Sequence, residues 1–221
     1  SVKALEALEK EGVKVYPDSN TISIIQNKSN QKLFYLQKNL PSSPYKSYKN
    51  KQLLEKATSE NFQRLPFVWK SARFGYDGNG VKIIRRKADL NELPNVECIA
   101  EELVSIKNEL AVIVARNIKG EIKAYPVVEM EFNDQANQVE YVLNPARISN
   151  STEKKAKDLA IKTAEAFKNV GLLAVEMFLT ENDSILINEV APRPHNSGHQ
   201  TIETSHTSQF EQHLRAILNL P

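Results

Sequence analysis

The sequence has only one cysteine and no long apolar run. Cys98 has no second cysteine with which to form an intramolecular disulfide, and this fits a reducing compartment. No stretch approaches the ~20 apolar residues that a membrane-spanning helix needs. The 29 Lys and Arg residues nearly balance the 27 Asp and Glu residues, so the formal net charge is only +2. We therefore expect a cytoplasmic protein whose main partner is neither nucleic acid nor a membrane surface.

The composition is that of a folded domain without internal repeats or low-complexity segments. Its 221 residues, 41% of them hydrophobic, can bury a core. Helical spacing of apolar residues is clear at 152–169 and near the C-terminus. Strand-like runs include 13–16, and a hairpin is predicted over 109–131 with its turn at Lys119-Gly120. This mixture predicts an α+β protein with substantially antiparallel sheets.

Two carboxylates are predicted to face each other across a second hairpin. Asn182 and Asp183 tolerate the positive φ of a two-residue turn between strand-like runs, and counting outward from that turn pairs Glu176 with Glu189. Their Cβ atoms would then be ~5 Å apart. Facing carboxylates repel unless a cation lies between them, and oxygen ligands without cysteine suit Mg²⁺. The alternative is that each glutamate pairs with a lysine or arginine elsewhere.

A polar run at 188–199 follows the second strand of this hairpin. Arg193 and His195 suit an anion such as bicarbonate or a carboxylate, and Asn196 adds a neutral donor. His195 and His199 have the i, i+4 spacing of some zinc sites. Two prolines and a glycine interrupt the continuous helix that would align them, so zinc is not expected.

Residues 70–80 form a glycine-containing loop between strand-like runs. Glycines such as Gly75 and Gly78 let backbone N–H groups approach phosphate oxygens closely, and Lys70 and Arg73 accompany them. The lysine comes first and strands flank the loop on both sides, so it does not match the Walker pattern. The alternative is that this segment is only a hairpin turn.

Three glutamates follow the next strand-like run. The backbone at Glu101 and Glu102 could offer the N–H and C=O pair that an adenine edge needs, and Glu109 could reach ribose hydroxyls. The alternative is that all three form a solvated acidic face.

Taken in order, these residues resemble those of the 5-(carboxyamino)imidazole ribonucleotide synthetases. These are the ATPase subunits of phosphoribosylaminoimidazole carboxylase, in the ATP-grasp superfamily. The most specific part is Ala191-Pro192-Arg193-Pro194-His195-Asn196-Ser197-Gly198-His199. The remaining matching positions are Lys70, Gly75-Tyr76-Asp77-Gly78, Glu101-Glu102, Glu109, Ala115-Arg116, Tyr125-Pro126, Glu176, Asn188-Glu189, Ser208-Gln209-Phe210-Glu211 and His213-Leu214-Arg215-Ala216.

The resemblance implies an ATP-grasp fold, in which ATP lies between two antiparallel-rich sheets with helices. Lys28 and Lys70 would contact phosphates, residues 101–104 would border adenine and Glu109 would bind ribose. Asn188 would assist, although strand alternation points it away from its neighbour. The implied cofactor-binding residues are Lys28, Lys70, Gly75, Gly78, Glu101, Glu102, Val104, Glu109 and Asn188, and the implied Mg²⁺ ligands are Glu176 and Glu189.

The chemistry that the resemblance implies belongs to de novo purine biosynthesis. ATP phosphorylates bicarbonate to carboxyphosphate, whose carboxyl passes to the exocyclic amine of aminoimidazole ribonucleotide, giving ADP and phosphate. Arg193, His195 and Asn196 would face bicarbonate, and Tyr76 and Asp77 would face the ribonucleotide. Two alternatives are a non-catalytic ATP- or ADP-binding module and another ATP-grasp carboxylase or formyltransferase.

The resemblance covers only the central part of the family. It divides the chain into linker and helices at 1–43, a small lid subdomain with the glycine loop at 44–106, and a large subdomain with the Mg²⁺ site at 107–221. The family's N-terminal and C-terminal domains are absent, so we expect an incomplete core of a family whose full-length members are expected to be homodimers. In the loop, Phe74 replaces a usual glycine and Asn79 replaces a frequent Arg or Lys.

Overall fold

The computed structural model describes residues 1–73, 80–133 and 138–221. Its helices are α1 (Val2–Lys10), α2 (Ser19–Ile25), α3 (Lys28–Gln37), α4 (Lys51–Ser59), α5 (Asn150–Phe167), α6 (Thr201–Thr204) and α7 (Gln209–Leu218). Its strands are β1 (Tyr45–Tyr48), β2 (Phe67–Ser71), β3 (Val81–Ile84), β4 (Cys98–Glu102), β5 (Ile106–Arg116), β6 (Ile122–Ala124), β7 (Val128–Asn133), β8 (Gln138–Leu143), β9 (Gly171–Thr180) and β10 (Ile185–Ala191). None of these helices is long and apolar enough to cross a membrane.

The strands form two sheets, and neighbouring strands within each sheet are antiparallel. The smaller sheet has four strands in the order β1-β4-β2-β3. The larger sheet has the order β10-β9-β5-β7-β8, and β6 pairs with β5 beside this path. The predicted α+β class is therefore confirmed.

Strand β9 shows how the larger sheet is packed on both faces. Its odd-numbered residues from Leu173 to Leu179 lie in the main core, against α5 and α3. Burial of each such side chain contributes about 1.5–3 kcal/mol. The even-numbered residues point the other way, where Leu172 and Ala174 pack against Ala216 of α7. Glu176 lies further along this second face, which is therefore apolar at one end and polar beyond it.

The smaller sheet has its own core. Phe67 and Trp69 of β2 and Ala100 of β4 pack with Leu54 of α4 on one face of the sheet. Cys98 belongs to this cluster and is fully buried, and burial raises the pKa of its thiol. Cys98 is therefore a core residue of the smaller sheet.

One segment, 41–48, joins the two sheets. The Pro41 carbonyl accepts a hydrogen bond from the Ile187 backbone N–H at 2.8 Å, and Ser42 forms a parallel bridge with Ile187 of β10. A few residues later β1 pairs with β4 of the smaller sheet. The same stretch of chain therefore borders both sheets and holds their edges together.

Two local predictions were wrong. The predicted strand at 13–16 is not a strand: Val13 is 48% exposed, and no described strand edge lies alongside the segment. The predicted hairpin over 109–131 is interrupted. Strand β6 pairs with residues 114–116 of β5, and β7 pairs with residues 109–111, so residues 125–127 separate the two pairings. Strand propensity alone does not say where a partner edge is available.

The contact between α7 and β9 gives a prediction of pH-dependent stability. His213 Nδ1 accepts a hydrogen bond from the Leu172 backbone N–H at 3.1 Å, and burial lowers the pKa of this imidazole. A folded pKa below the unfolded value of about 6.5 gives stability that is complete above that pH and is lost as the pH falls. We expect His213→Gln to lose less of its unfolding free energy than the wild type between pH 7 and pH 5, measured by urea denaturation.

The exposed His206 provides the matched control. His206→Gln should retain the wild-type pH dependence. Equal pH dependence in the wild type and His213→Gln would contradict the assignment.

Candidate functional site

The hairpin of β9 and β10 pairs Glu176 with Glu189, as predicted, but with a different turn and a shift in register. The Thr180 backbone N–H donates to the Ser184 carbonyl at 2.9 Å, so the turn between them has three residues, 181–183. Asp183 has the positive φ of this turn, 58°. The predicted two-residue turn was therefore wrong. The register is shifted by one residue near the turn and is restored between Ile187 and Glu189.

A β-bulge at Asn188 restores the predicted register between β9 and β10. In a bulge two residues of one strand oppose a single residue of the other, which can redirect a side chain. Asn188 Oδ1 accepts a hydrogen bond from Lys70 Nζ at 2.8 Å, so the amide faces the smaller sheet. The expectation that strand alternation turns Asn188 away was wrong because simple alternation does not hold across a bulge.

The paired carboxylates have different partners. Glu189 Oε2 lies 2.6 Å from Lys28 Nζ, whereas Glu176 Oε1 lies 3.2 Å from His195 Nε2. The Glu189 side chain is 43% exposed, but that of Glu176 is only 13% exposed. The alternative of a lysine or arginine partner therefore applies to Glu189, while Glu176 contacts a histidine.

The surroundings change the proton affinity of these carboxylates. Burial, followed by the charges of Glu189 and Glu109, raises the pKa of Glu176 to about 8. Burial also raises the pKa of Glu109 to about 7. Loss of hydration also favours a raised pKa for Glu189, but the charge of the Lys28 ammonium outweighs it and holds the pKa of Glu189 below its ordinary value. Glu176 and Glu109 therefore hold their protons more tightly than ordinary glutamates, because burial disfavours their charged form.

A second charged cluster faces this pair from the smaller sheet. Glu101 is buried between Lys32 and Lys70, whose Nζ atoms lie 3.0 Å from its two carboxylate oxygens. Burial raises the carboxylate pKa, but the two ammonium groups outweigh that effect and lower it overall. The solvated-face alternative is therefore wrong for Glu101, whereas Glu102 is exposed.

Two polar residues of α3 were missed in the sequence. Lys32 is 2% exposed, and the fully buried Tyr35 hydroxyl has no hydrogen-bond partner among the described residues. Burial and then the charges of Glu189, Glu101 and Glu176 raise the pKa of Tyr35. Positions 28, 32 and 35 are spaced four and three apart, so they lie on one helix face. That spacing was the available signal.

The segment after β4 lies beside the tip of the β9–β10 hairpin. The Glu102 backbone N–H already donates to the Pro44 carbonyl at 2.9 Å, so it is not available to a ligand. This revises the expected hydrogen-bonding pair. Val104, Thr180 and Leu186 line a surface cavity of about 420 Å³ at this point. Such a volume lies in the range of small-molecule sites.

The predicted anion-binding residues lie on the loop after β10. Of these, His195 is partly buried and contacts Glu176, as described above. Arg193 and Asn196 are exposed, and the Arg193 guanidinium donates to the Pro194 carbonyl at 2.9 Å. His195 is therefore the member of this set that the structure brings into contact with the paired carboxylates.

Part of the glycine loop lies outside the described residues. The predictions for Gly75, Tyr76, Asp77 and Gly78, and the departures at Phe74 and Asn79, fall there. The base of the loop is described: the Ser71 backbone N–H donates to the Gly80 carbonyl at 2.8 Å. The Lys28 backbone N–H donates to the Ala72 carbonyl, also at 2.8 Å, so the start of α3 is tied to this base.

Sequence comparison gives relatives with two names. The N5-carboxyaminoimidazole ribonucleotide synthase of Bacillus subtilis is 43% identical over 208 residues, which are 92% of this chain and 53% of that protein. The phosphoribosylaminoimidazole carboxylase of Candida glabrata is 39% identical over 228 residues, covering 100% of this chain and 39% of that protein. The chain therefore spans about half, or less, of the length of these relatives.

Structure comparison gives solved structures with names like that of the Bacillus subtilis relative. The N5-carboxyaminoimidazole ribonucleotide synthetase of Thermotoga maritima superposes with a TM-score of 0.87 at 44% identity, covering 100% of this chain and 56% of that one. The N5-carboxyaminoimidazole synthase of Aspergillus clavatus, in complex with ADP and 5-aminoimidazole ribonucleotide, gives 0.90 at 36% identity, covering 100% and 58%. The fold implied by the resemblance is confirmed. Because residues 33–210 also match the ATP-grasp domain, this chain belongs to the ATP-grasp family.

Proposed function

We propose that this chain is the ATP-binding core of an enzyme that carboxylates 5-aminoimidazole ribonucleotide in de novo purine biosynthesis. The observation that carries this proposal is the convergence of Lys28, Lys70, Glu176 and Glu189 between the two sheets. The names of the similar proteins, and the ADP and ribonucleotide in the Aspergillus clavatus complex, support the choice of substrates.

The order of groups along β9 supports a nucleotide lying along this strand. Glu176 lies beside the lysines, Phe178 is paired with Glu109 of β5, and Thr180 reaches the cavity at Val104. These even-numbered residues share one face, and four residues of strand span ~13 Å. Phosphates at Glu176, ribose at Glu109 and adenine at Val104 follow the order of groups in ATP. The raised pKa of Glu109 suits a ribose contact, because a neutral carboxyl can both donate and accept.

Lys28 and Lys70 would hold the phosphates. Each ammonium already contacts a polar group on β10, Glu189 for Lys28 and Asn188 for Lys70. An incoming triphosphate would add negative charge where these two ammonium groups meet. The glycine loop begins directly after Lys70, so its backbone N–H groups would cover the same phosphates.

The side chains in the cleft fit a Mg²⁺ ion. Glu176 and Glu189 are two opposed carboxylates, and Mg²⁺ typically takes one or two carboxylates together with substrate phosphates. The buried Tyr35 hydroxyl, which has no hydrogen-bond partner among the described residues, is a donor in the same region. Burial and then the charges of Glu189 and Glu109 raise the pKa of Glu176, and a bound cation would oppose both effects. When bound with the nucleotide, the ion would offset the charge on the transferred phosphoryl group.

The loop after β10 would receive bicarbonate. A bicarbonate oxygen attacks the γ-phosphorus of ATP, ADP leaves, and the amine of the ribonucleotide then attacks the carboxyl carbon of carboxyphosphate and releases phosphate. His195, which contacts Glu176, would orient bicarbonate beside the γ-phosphate, and the exposed Arg193 and Asn196 would add donors.

The other expectations stay predictions. They are the roles of Tyr76 and Asp77 beside the ribonucleotide, the boundaries of the two subdomains, the cytoplasmic location and the homodimer. Because the chain spans only part of its relatives, a nucleotide-binding module without turnover is the second candidate function.

Release of phosphate from ATP tests the proposed function. We expect release by the protein to require both bicarbonate and 5-aminoimidazole ribonucleotide, with one phosphate formed per ribonucleotide carboxylated. Binding of Mg-ADP without any release would favour the binding module. Release that is independent of both substrates would contradict the carboxylation.

The carboxylate pair gives a prediction about metal-dependent binding. Glu176→Gln and Glu189→Gln should each weaken Mg-ATP binding by at least about 10- to 100-fold, because each removes a charged ligand but preserves size. Isothermal titration with and without Mg²⁺ measures this effect. Glu153→Gln, at a partly exposed position of α5, is the control and should bind normally. Unchanged Mg-ATP affinity in both variants would falsify the metal assignment.

Lys70 gives a prediction about the phosphates. Lys70→Met should lower the affinity for ATP by about 10- to 100-fold, since a hydrogen bond between charged groups contributes about 1.5–3 kcal/mol. The affinity for adenosine should change far less, because adenosine has no phosphate. Lys82→Met, on the neighbouring strand β3, is the control. Equal losses for ATP and adenosine would remove the phosphate role of Lys70.

A further inference from the structure

The side-chain amide of Gln209 holds the backbone of His195 from both sides. The His195 backbone N–H donates to Gln209 Oε1 at 2.9 Å, and Gln209 Nε2 donates to the His195 carbonyl at 2.8 Å. Gln209 is the first residue of α7 and is 0% exposed. A buried amide therefore forms the same pair of hydrogen bonds with His195 that a neighbouring peptide group would form in a sheet.

The Gln209 backbone is itself fixed. Its N–H donates to Thr201 Oγ1 at 2.8 Å, and the Thr201 hydroxyl donates to the Gly198 carbonyl at 2.6 Å. Thr201 and Gly198 are buried. The first residue of α7 is thus connected to both ends of the loop segment 195–198, so a shift of the helix would displace the whole segment.

Gly198 leaves the space that the Gln209 amide occupies. A Cβ atom added at Gly198 would lie 2.4 Å from Gln209 Oε1 and 2.7 Å from its Cδ. Both distances are shorter than any tolerable contact, so the amide would have to leave its place. The glycine at this position is therefore a requirement of the Gln209 contact.

The imidazole of His195 points away from this clamp and into the site. Its Nε2 lies 3.2 Å from Glu176 Oε1, and its Nδ1 lies 3.0 Å from Ser197 Oγ. The main chain of His195 is held by Gln209 while both ring nitrogens have polar neighbours. The ring orientation is therefore defined by the fixed backbone and by a polar contact at each nitrogen.

We propose that Gln209 is a positioning residue, which sets the location and orientation of His195 beside Glu176. This inference rests on the proposed function for the chemistry that His195 serves, but its geometry does not. Gln209 lies behind the His195 backbone and acts through it.

A purely space-filling role would not need an amide. Methionine has nearly the same shape as glutamine and would fill the buried position without a polar group that must be desolvated. The amide adds two directed hydrogen bonds to one backbone, and directed bonds specify an orientation that packing alone leaves variable.

Four variants separate positioning from packing. Gln209→Met removes both hydrogen bonds at nearly constant volume, and Gln209→Glu keeps the acceptor for the His195 N–H but removes the donor to its carbonyl. Gly198→Ala keeps every polar group and displaces the amide by contact. Gln212→Met, at a partly exposed position on the same helix, is the matched control.

The first measurement does not depend on turnover. The chain has four histidines, so in protein labelled with ¹⁵N-histidine the His195 ring signals can be assigned by comparison with His195→Ala. We expect the signals to move in Gln209→Met and Gly198→Ala, to move less in Gln209→Glu, and to stay in place in Gln212→Met. Unmoved ring signals in folded Gln209→Met or Gly198→Ala would overturn the inference.

The second measurement is bicarbonate-dependent cleavage of ATP in the presence of 5-aminoimidazole ribonucleotide. Gln209→Met should lower kcat about 10- to 100-fold, since a misplacement of about 1 Å has effects of this size, while the KM for ATP stays within about twofold. In the His195→Ala background the same substitution should cause no further loss, because it acts through a ring that is no longer present. An additive loss in the double variant would overturn the inference.

These measurements distinguish two kinds of failure. Wild-type protein without bicarbonate-dependent cleavage, or His195→Ala with full activity, would contradict the proposed function and leave the ring signals to decide the positioning role. Loss of activity in His195→Ala but not in Gln209→Met or Gly198→Ala would contradict the positioning role alone. If Gln209→Met does not fold, Gln209→Glu and Gly198→Ala give the same readouts.

Discussion

Two carboxylates held opposite each other across adjacent strands are the constraint around which the site is built. Glu176 and Glu189 cannot separate without breaking the ladder between β9 and β10. Like charges at this spacing raise each other's proton affinity, and burial adds to the effect. The protein offsets the charge of Glu189 with Lys28, but it leaves Glu176 with His195. Among the described residues, Glu189 therefore has a lysine contact, whereas Glu176 contacts a histidine.

The lysines that offset this charge come from different parts of the chain. Lys28 begins α3, whereas Lys70 is the penultimate residue of β2 and reaches both Asn188 of the larger sheet and Glu101 of the smaller one. A single ammonium group therefore connects the polar faces of the two sheets. The segment 41–48 makes a second connection through backbone hydrogen bonds at the sheet edges. Sheet packing and site electrostatics thus depend on the same few contacts.

Sequence reasoning could predict whatever is local or periodic. The α+β class, most strands and the pairing of Glu176 with Glu189 followed from apolar spacing and turn residues. That pairing was obtained with the wrong turn, because a three-residue loop shifts the register by one and the bulge at Asn188 shifts it back. A bulge has no reliable sequence signal, and Asn188 was therefore assigned to the wrong face. Helical spacing could have placed Lys32 on the same face as Lys28, but its partner Glu101 lies in a distant segment. The contact of Gln209 with His195 also joins separate segments, and no local pattern could reveal it.

The two sides of the site are stabilised in different ways, and this difference follows from what each side must do. On the lysine side, charges pair through long side chains, so in the proposed site Lys28 and Lys70 would exchange protein partners for phosphate oxygens without moving the backbone. On the histidine side, backbone hydrogen bonds from Gln209 fix the loop itself. A group that binds phosphate can adapt as the nucleotide enters. A group that orients a small reactant must already be in place, because misplacement costs rate. Lysines that act through long side chains and a histidine held by its backbone are therefore consistent parts of the proposed site.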